Sequence, residues 1–254
     1  MNKPYNTSGS SSAHTISTQI QAVKQSFCAE LGVPDFAIDP PDEVKLEEYR
    51  QYGEYPFLAI YILDEQGKVD VARTASMWYE TIDQKPNRDE YNPNTKSSSL
   101  VWKRLSLVEE PSDMKVVELK KCNGGTRVRL GYRWVSLDIN AYAGASVQEA
   151  RETAPAESQG NYQLAGLEPL MLCVYYWQQY YARIQDESAY FKKDRYEQID
   201  CYAFALAGLS YDDYGIKKSV AIKKPYGQRF HIGTTSVGVA ERWVTCPLVE
   251  TVAV

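Results

Sequence analysis

The sequence predicts an α+β fold, mainly antiparallel β-sheet with two N-terminal helices and one buried aromatic helix near 169–185. Three observations carry this. Helical spacing of apolar residues is confined to the first fifty positions and to the stretch after Pro169. Elsewhere short apolar runs are separated by Gly-, Asn- and Asp-containing turns, the pattern of strands joined locally. Asn123-Gly124 between two alternating segments is a strong hairpin signal.

Residues 1–13, MNKPYNTSGSSSA, are small, polar and aperiodic, and are read as a disordered leader before a single α+β domain over 14–254. Ile16, Ile20, Val23, Phe27 and Leu31 recur at helical spacing, and Gly32 followed by Pro34 stops a helix at about 31. Asp39-Pro40 reads as a cap and first helical residue opening a second helix to about Gly53. PFLAIYIL, 56–63, reads as a strand that turns through DEQG into a second strand within KVDVARTASMWYETI. The polar stretch 84–99 is a long loop, and LVWKRLSLV, 100–108, a third strand.

A two-residue turn at Asn123-Gly124, both at positive φ, sets a register. Leu119 faces Val128, Val117 faces Leu130 and Lys115 faces Tyr132 on one side, with Lys120 facing Arg127 and Glu118 facing Arg129 on the other. Strand alternation then puts Val128, Leu130, Tyr132 and Trp134 on one face, and Arg127, Arg129 and Arg133 together on a solvent-facing one. Residues 143–163 are small and polar, the expected linker or internal boundary. Leu170, Val174, Trp177, Tyr181 and Ile184 have helical spacing and give the buried aromatic helix. YEQIDCYAFALAGLS suits helix or strand, and KKSVAIKK, FHIGTTSVGVA and ERWVTCPLVETVAV read as strands.

The chain of 254 residues carries a formal charge of −5, which disfavours coating nucleic acid by bulk charge and turns attention to local patches. Eight acids lie between Glu30 and Glu54 against Lys45 and Arg50, whereas Lys217 to Arg229 holds five bases and no acid. Five cysteines, odd in number and never in a C-x-x-C pair, suggest neither a disulfide framework nor a zinc cage, and point to a reducing cytoplasm. There is no signal pattern, and no apolar run approaches the roughly 18 residues that span a bilayer, so no membrane is expected.

Catalytic chemistry has little to work with. Only His14, in the leader, and His231 are available as histidine bases, and no nucleophile elbow occurs. GGTRVRLG lacks the spacing of a phosphate-cradling loop, and no cofactor is expected. Glu118 and Lys120 make the E-x-K pattern of metal-dependent nucleases, without a convincing upstream Asp. Asp212 and Asp213 in SYDDYG suit a turn better than a metal.

Two basic surfaces remain. One is the hairpin face with Lys120, Arg127, Arg129 and Arg133. The other is KKSVAIKKPYGQRFH, with Lys217, Lys218, Lys223, Lys224 and Arg229 beside Tyr226 and Phe230. Cations that track phosphate beside rings that stack on bases suit single-stranded DNA or RNA. The leading expectation is therefore a non-enzymatic, cytoplasmic binding protein for single-stranded nucleic acid. A homo-oligomeric structural subunit, with the acidic 30–54 segment of one copy against the basic strands of the next, is the alternative, suggested also by 20 tyrosines. A metal-dependent nuclease is third.

Overall fold

The computed structural model describes residues 16–42, 44, 56–82, 104–139, 141–157, 162–172, 203–213, 216–223, 231–240 and 244–252. The fold is α+β, with mostly antiparallel sheets and few short helices. Helix α1 (Ile16–Leu31) buries Val23, Phe27 and Leu31, one per turn, against the core. It ends where Gly32 takes φ 63° and the Val33 N–H returns to the Cys28 carbonyl at 3.1 Å, a left-handed cap that glycine adopts without a Cβ penalty.

The second helix does not start at Pro40. Residues 33–42 are irregular, and the Val44 N–H bonds the Asp42 carboxylate at 2.9 Å, so Asp42 is the cap. Asp39 and Pro40 each precede a proline, and the ring of the following residue disfavours helical backbone at both. The rest of that predicted helix lies outside the described residues.

Strand β1 (Phe57–Leu63) is buried along its whole length. The strand predicted after its turn is instead helix α2 (Val71–Ile82). Only Val69 makes a bridge to Leu63. Asp70 then caps the helix, its carboxylate accepting the Arg73 N–H at 3.0 Å. Val71, Ala75 and Trp78 form its buried stripe. The valine alternation of KVDV hid this helical period.

One sheet has the order β1-β4-β11-β5, with β3 also on β4; every pairing is antiparallel. Its members are β3 (Lys115–Lys120), β4 (Arg127–Asp138), β5 (Tyr162–Leu164) and β11 (Leu248–Val252). The second sheet runs β10-β6-β8-β7-β2, with β9 on the other edge of β8. It comprises β2 (Leu105–Leu107), β6 (Ala203–Ala205), β7 (Leu209–Asp213), β8 (Ile216–Lys223), β9 (His231–Ser236) and β10 (Val244–Thr245). The ambiguous 196–210 region thus supplies β6 and the start of β7. Of the third predicted strand, the described residues show Leu105–Leu107 as β-strand, and residues 100–103 lie outside the described residues. Asp212 and Asp213 are strand residues opposite Lys217 and Ile216, with the turn of that hairpin outside the described residues.

The 143–163 segment contains a helix. Ser146 and Glu149 form a capping box, the Ser146 Oγ accepting the Glu149 N–H at 3.1 Å and the Glu149 carboxylate accepting the Ser146 N–H at 2.8 Å. Helix α3 (Val147–Glu157) follows. Arg151 from this helix donates to the Ala207 and Leu209 carbonyls at 2.9 and 2.6 Å, fastening it to the second sheet. The small composition that suggested a linker suits a helix packed closely through Ala150 and Ala154, both buried. The predicted aromatic helix begins in the described residues as helical turns over 168–172, all buried; its continuation lies outside them.

The two sheets are stitched together. The Gly208 N–H bonds the Ala165 carbonyl at 2.9 Å, and the Ala165 N–H bonds the Pro247 carbonyl at 2.9 Å. A Cβ at Gly208 would stand 2.3 Å from the Leu164 carbonyl oxygen, so only glycine permits this approach. Only Cys246 and Pro247 separate β10 of the second sheet from β11, which inserts between β4 and β5 of the first.

The outer edge of β1 is sealed by residues 70–78. Trp78 Nε1 donates to the Ile60 carbonyl at 2.7 Å, the Ile62 N–H bonds Thr74 Oγ1 at 2.9 Å, and the Asp70 N–H bonds the Ile62 carbonyl at 2.8 Å. Such capping removes the open hydrogen-bonding row that makes an edge strand sticky.

Candidate functional site at the β3–β4 hairpin

The predicted register holds at every pair from Lys115 and Tyr132 to Lys120 and Arg127. The turn differs. Gly124 and Gly125, at φ 91° and 93°, take the left-handed conformations, and Asn123 does not. The Lys121 N–H meets the Thr126 carbonyl at 3.0 Å, and the Gly124 N–H meets the Lys121 carbonyl at 3.2 Å. Two glycines accept positive φ more readily than asparagine does, and because the loop stays centred on 123–124 the pairing is unchanged.

On the apolar face Val128, Leu130, Tyr132 and Trp134 are buried. Segment 33–40 reaches this face, with Trp134 Nε1 donating to the Asp39 carbonyl at 2.8 Å and Lys115 pairing with the Asp39 carboxylate at 2.9 Å. Opposite lie the arginines, and they divide. Arg127 and Arg129 are exposed, and both converge on Glu118 from β3, each at 2.9 Å to a different carboxylate oxygen. Arg129 Nη1 also donates to the Glu65 carbonyl at 3.0 Å. Arg129, and then Arg127, hold the Glu118 carboxyl below its ordinary range.

Arg133 is not on this solvent face; it is 3 % exposed. Alternation does place it on the side of Arg127 and Arg129, but that side becomes covered at Gly131, where a Cβ would meet Met114 Sδ at 2.9 Å and a Leu63 methyl at 3.3 Å. Beyond this point Arg133 Nη2 pairs with Glu168 Oε1 at 3.0 Å, and its Nε donates to Tyr61 Oη at 3.3 Å. Its Nη1 reaches Thr251 Oγ1 at 3.1 Å and the Ser112 carbonyl at 3.3 Å. Tyr61 Oη donates to Glu168 Oε1, and Glu168 Oε2 accepts the Gly166 N–H at 2.7 Å. Burial pushes the Tyr61 phenol well above its ordinary range, Arg133 opposing and Glu168 adding to the push. Burial alone would lower the Arg133 pKa, but Tyr61 and Glu168 outweigh it and the net shift is upward. The network is an internal cross-link of β1, β4, β11 and the 166–168 turn. Sequence reasoning missed Glu168 because its only local cue, Glu168-Pro169, looks like a helix start.

The second basic stretch belongs to the other sheet. Lys217, Lys218 and Lys223 lie on β8, an interior strand with β6 and β7 on one edge and β9 on the other. Lys224, Tyr226, Arg229 and Phe230 lie outside the described residues. His231 is a strand residue of β9, opposite Lys223.

What the hairpin offers chemically is a patch in which Arg127 and Arg129 share one carboxylate, with Lys120 next to them on the same face of the hairpin. It also offers the strand β3, whose outer edge no other strand joins among the described residues. Both oxygens of Glu118 are occupied by arginines, so the E-x-K pattern would have to shed two cations to hold a metal. Among the described residues no group of three or more His, Cys, Asp or Glu is arranged to hold a metal ion, and no helix is long and apolar enough to cross a membrane. Comparison with protein families, curated proteins and solved structures finds no match in any of the three.

Proposed function

We propose that the chain is a non-enzymatic, self-assembling subunit and that neighbouring copies meet through the β3–β4 hairpin. The observation that supports this is the contrast between edges. Helix α2 closes the edge of β1, whereas β3 leaves its outer edge open among the described residues, with Val116 59 % exposed. An open edge presents a row of backbone donors and acceptors to an incoming chain. The cationic hairpin suits the acid-rich 30–54 region of a neighbouring copy, and contact between two different patches gives rings or filaments. Sedimentation at rising concentration in low salt should show growing mass. The growth should shrink with added salt and with Val116→Lys or Arg127→Glu. A strict monomer at the highest concentration in low salt would overturn the reading.

A second reading, single-stranded DNA or RNA on the same hairpin, is favoured by its three cations, Lys120 beside the two arginines that share Glu118. Lys217, Lys218 and Lys223 sit in the other sheet, so the hairpin alone would carry the contact. With about three phosphates neutralised, log affinity should fall with log salt at a slope of about −2. Polarisation titrations with an unstructured oligonucleotide at two salt concentrations test this, with Arg127→Glu/Arg129→Glu as the control. No binding at low salt sinks it.

A further inference from the structure

The fold gathers two of the five cysteines at one corner. Cys28 is half-buried in the last turn of α1, its thiol 3.5 Å from the Pro34 carbonyl. Cys122 is exposed in the hairpin turn, and its N–H donates to the Gly32 carbonyl at 2.8 Å. Gly32 is itself part of the cap in which the Val33 N–H returns to the Cys28 carbonyl at 3.1 Å. The backbone at Cys122 is therefore pinned to the helix end that carries Cys28. Next to Cys122 the turn contains Gly124 and Gly125, which give it the freedom to meet the narrow geometry of a disulfide.

We propose that Cys28 and Cys122 are a reversible dithiol, closed to a disulfide by a small-molecule disulfide such as oxidised glutathione, which locks the hairpin turn to the end of α1. The exposed Cys122 thiolate attacks one sulfur of the small disulfide, forming a mixed disulfide and releasing one small thiol. Cys28 then gives up its proton and attacks the Cys122 sulfur, expelling the second small thiol. Two cysteine thiols are oxidised by two electrons and one small disulfide is reduced to two thiols. Burial, with Asp35 adding to it, pushes the Cys28 thiol up, so Cys28 suits the resolving step better than the first attack. The proposal is independent of what the hairpin binds.

The test treats the folded full-length chain with oxidised glutathione, blocks free thiols with N-ethylmaleimide and maps the peptides by mass spectrometry. The expected product is an intramolecular Cys28–Cys122 link with a Tm raised by about 5 °C, both reversed by dithiothreitol. Cys28→Ser should instead trap a stable glutathione adduct on Cys122, and Cys122→Ser should leave Cys28 in its free form. An adduct that accumulates on Cys122 in the unmodified chain while Cys28 stays free would overturn the proposal. Linkage only between two chains would also overturn it.

Discussion

Arg133→Met should lower the stability of the folded chain by about 3–5 kcal/mol, read as a fall in the urea midpoint at unchanged m-value. The cause is the Glu168 carboxylate, 3 % exposed, which would lose its cation while keeping only the Tyr61 hydroxyl and the Gly166 N–H. Removing both charges together, as Arg133→Met/Glu168→Leu, should recover much of the loss, because a buried ion pair and a well-packed apolar pair are often close in energy. A single variant within about 1 kcal/mol of the parent would show that the fold does not depend on the Arg133–Glu168 pair. Arg133 is therefore the wrong residue with which to probe ligand binding, since any loss would report unfolding.

Trp78→Ala should cost about 3–5 kcal/mol. Trp78 is fully buried and packs edge-on against Phe27, with ring centroids 5.3 Å apart. Trp78→Phe separates the two roles of the side chain. It keeps most of the ring volume but strips the Ile60 carbonyl of its 2.7 Å partner, an unsatisfied buried acceptor that costs about 1–3 kcal/mol. Thermal and urea unfolding of both variants would measure the split. A phenylalanine variant as stable as the parent would mean that the indole N–H does not matter to the β1 edge.

The fold class and the hairpin register were legible in the sequence because both depend on local pattern: apolar alternation and a turn centred between Asn123 and Gly124. Helix α2 was not, since Val69 and Val71 mimic a strand and the capping role of Asp70 becomes visible only once its bond to Arg73 is known. Helix α3 was hidden by the same small residues that let it pack closely. Among the site residues, Lys120, Arg127, Arg129 and their partner Glu118 follow from strand alternation and register. Arg133 does not, because alternation says which side a residue takes but not where that side stops being solvent. The partners that hold Arg133 inside include Glu168 and Thr251, more than thirty and one hundred positions away in sequence, and no local pattern encodes that distance. Cys28 and Cys122 were missed for the same reason.

The insertion of β11 between β4 and β5 bears on how the chain reaches this fold. During vectorial synthesis β4 emerges long before the strand that must lie beside it, so the residues of β4 that pair with Leu248–Val252 wait without a partner. Pairings this distant in sequence close slowly, and the exposed half-sheet is an aggregation hazard in the interval. Helix α2, which follows β1 directly in the chain, can shield the opposite flank of that intermediate from the outset.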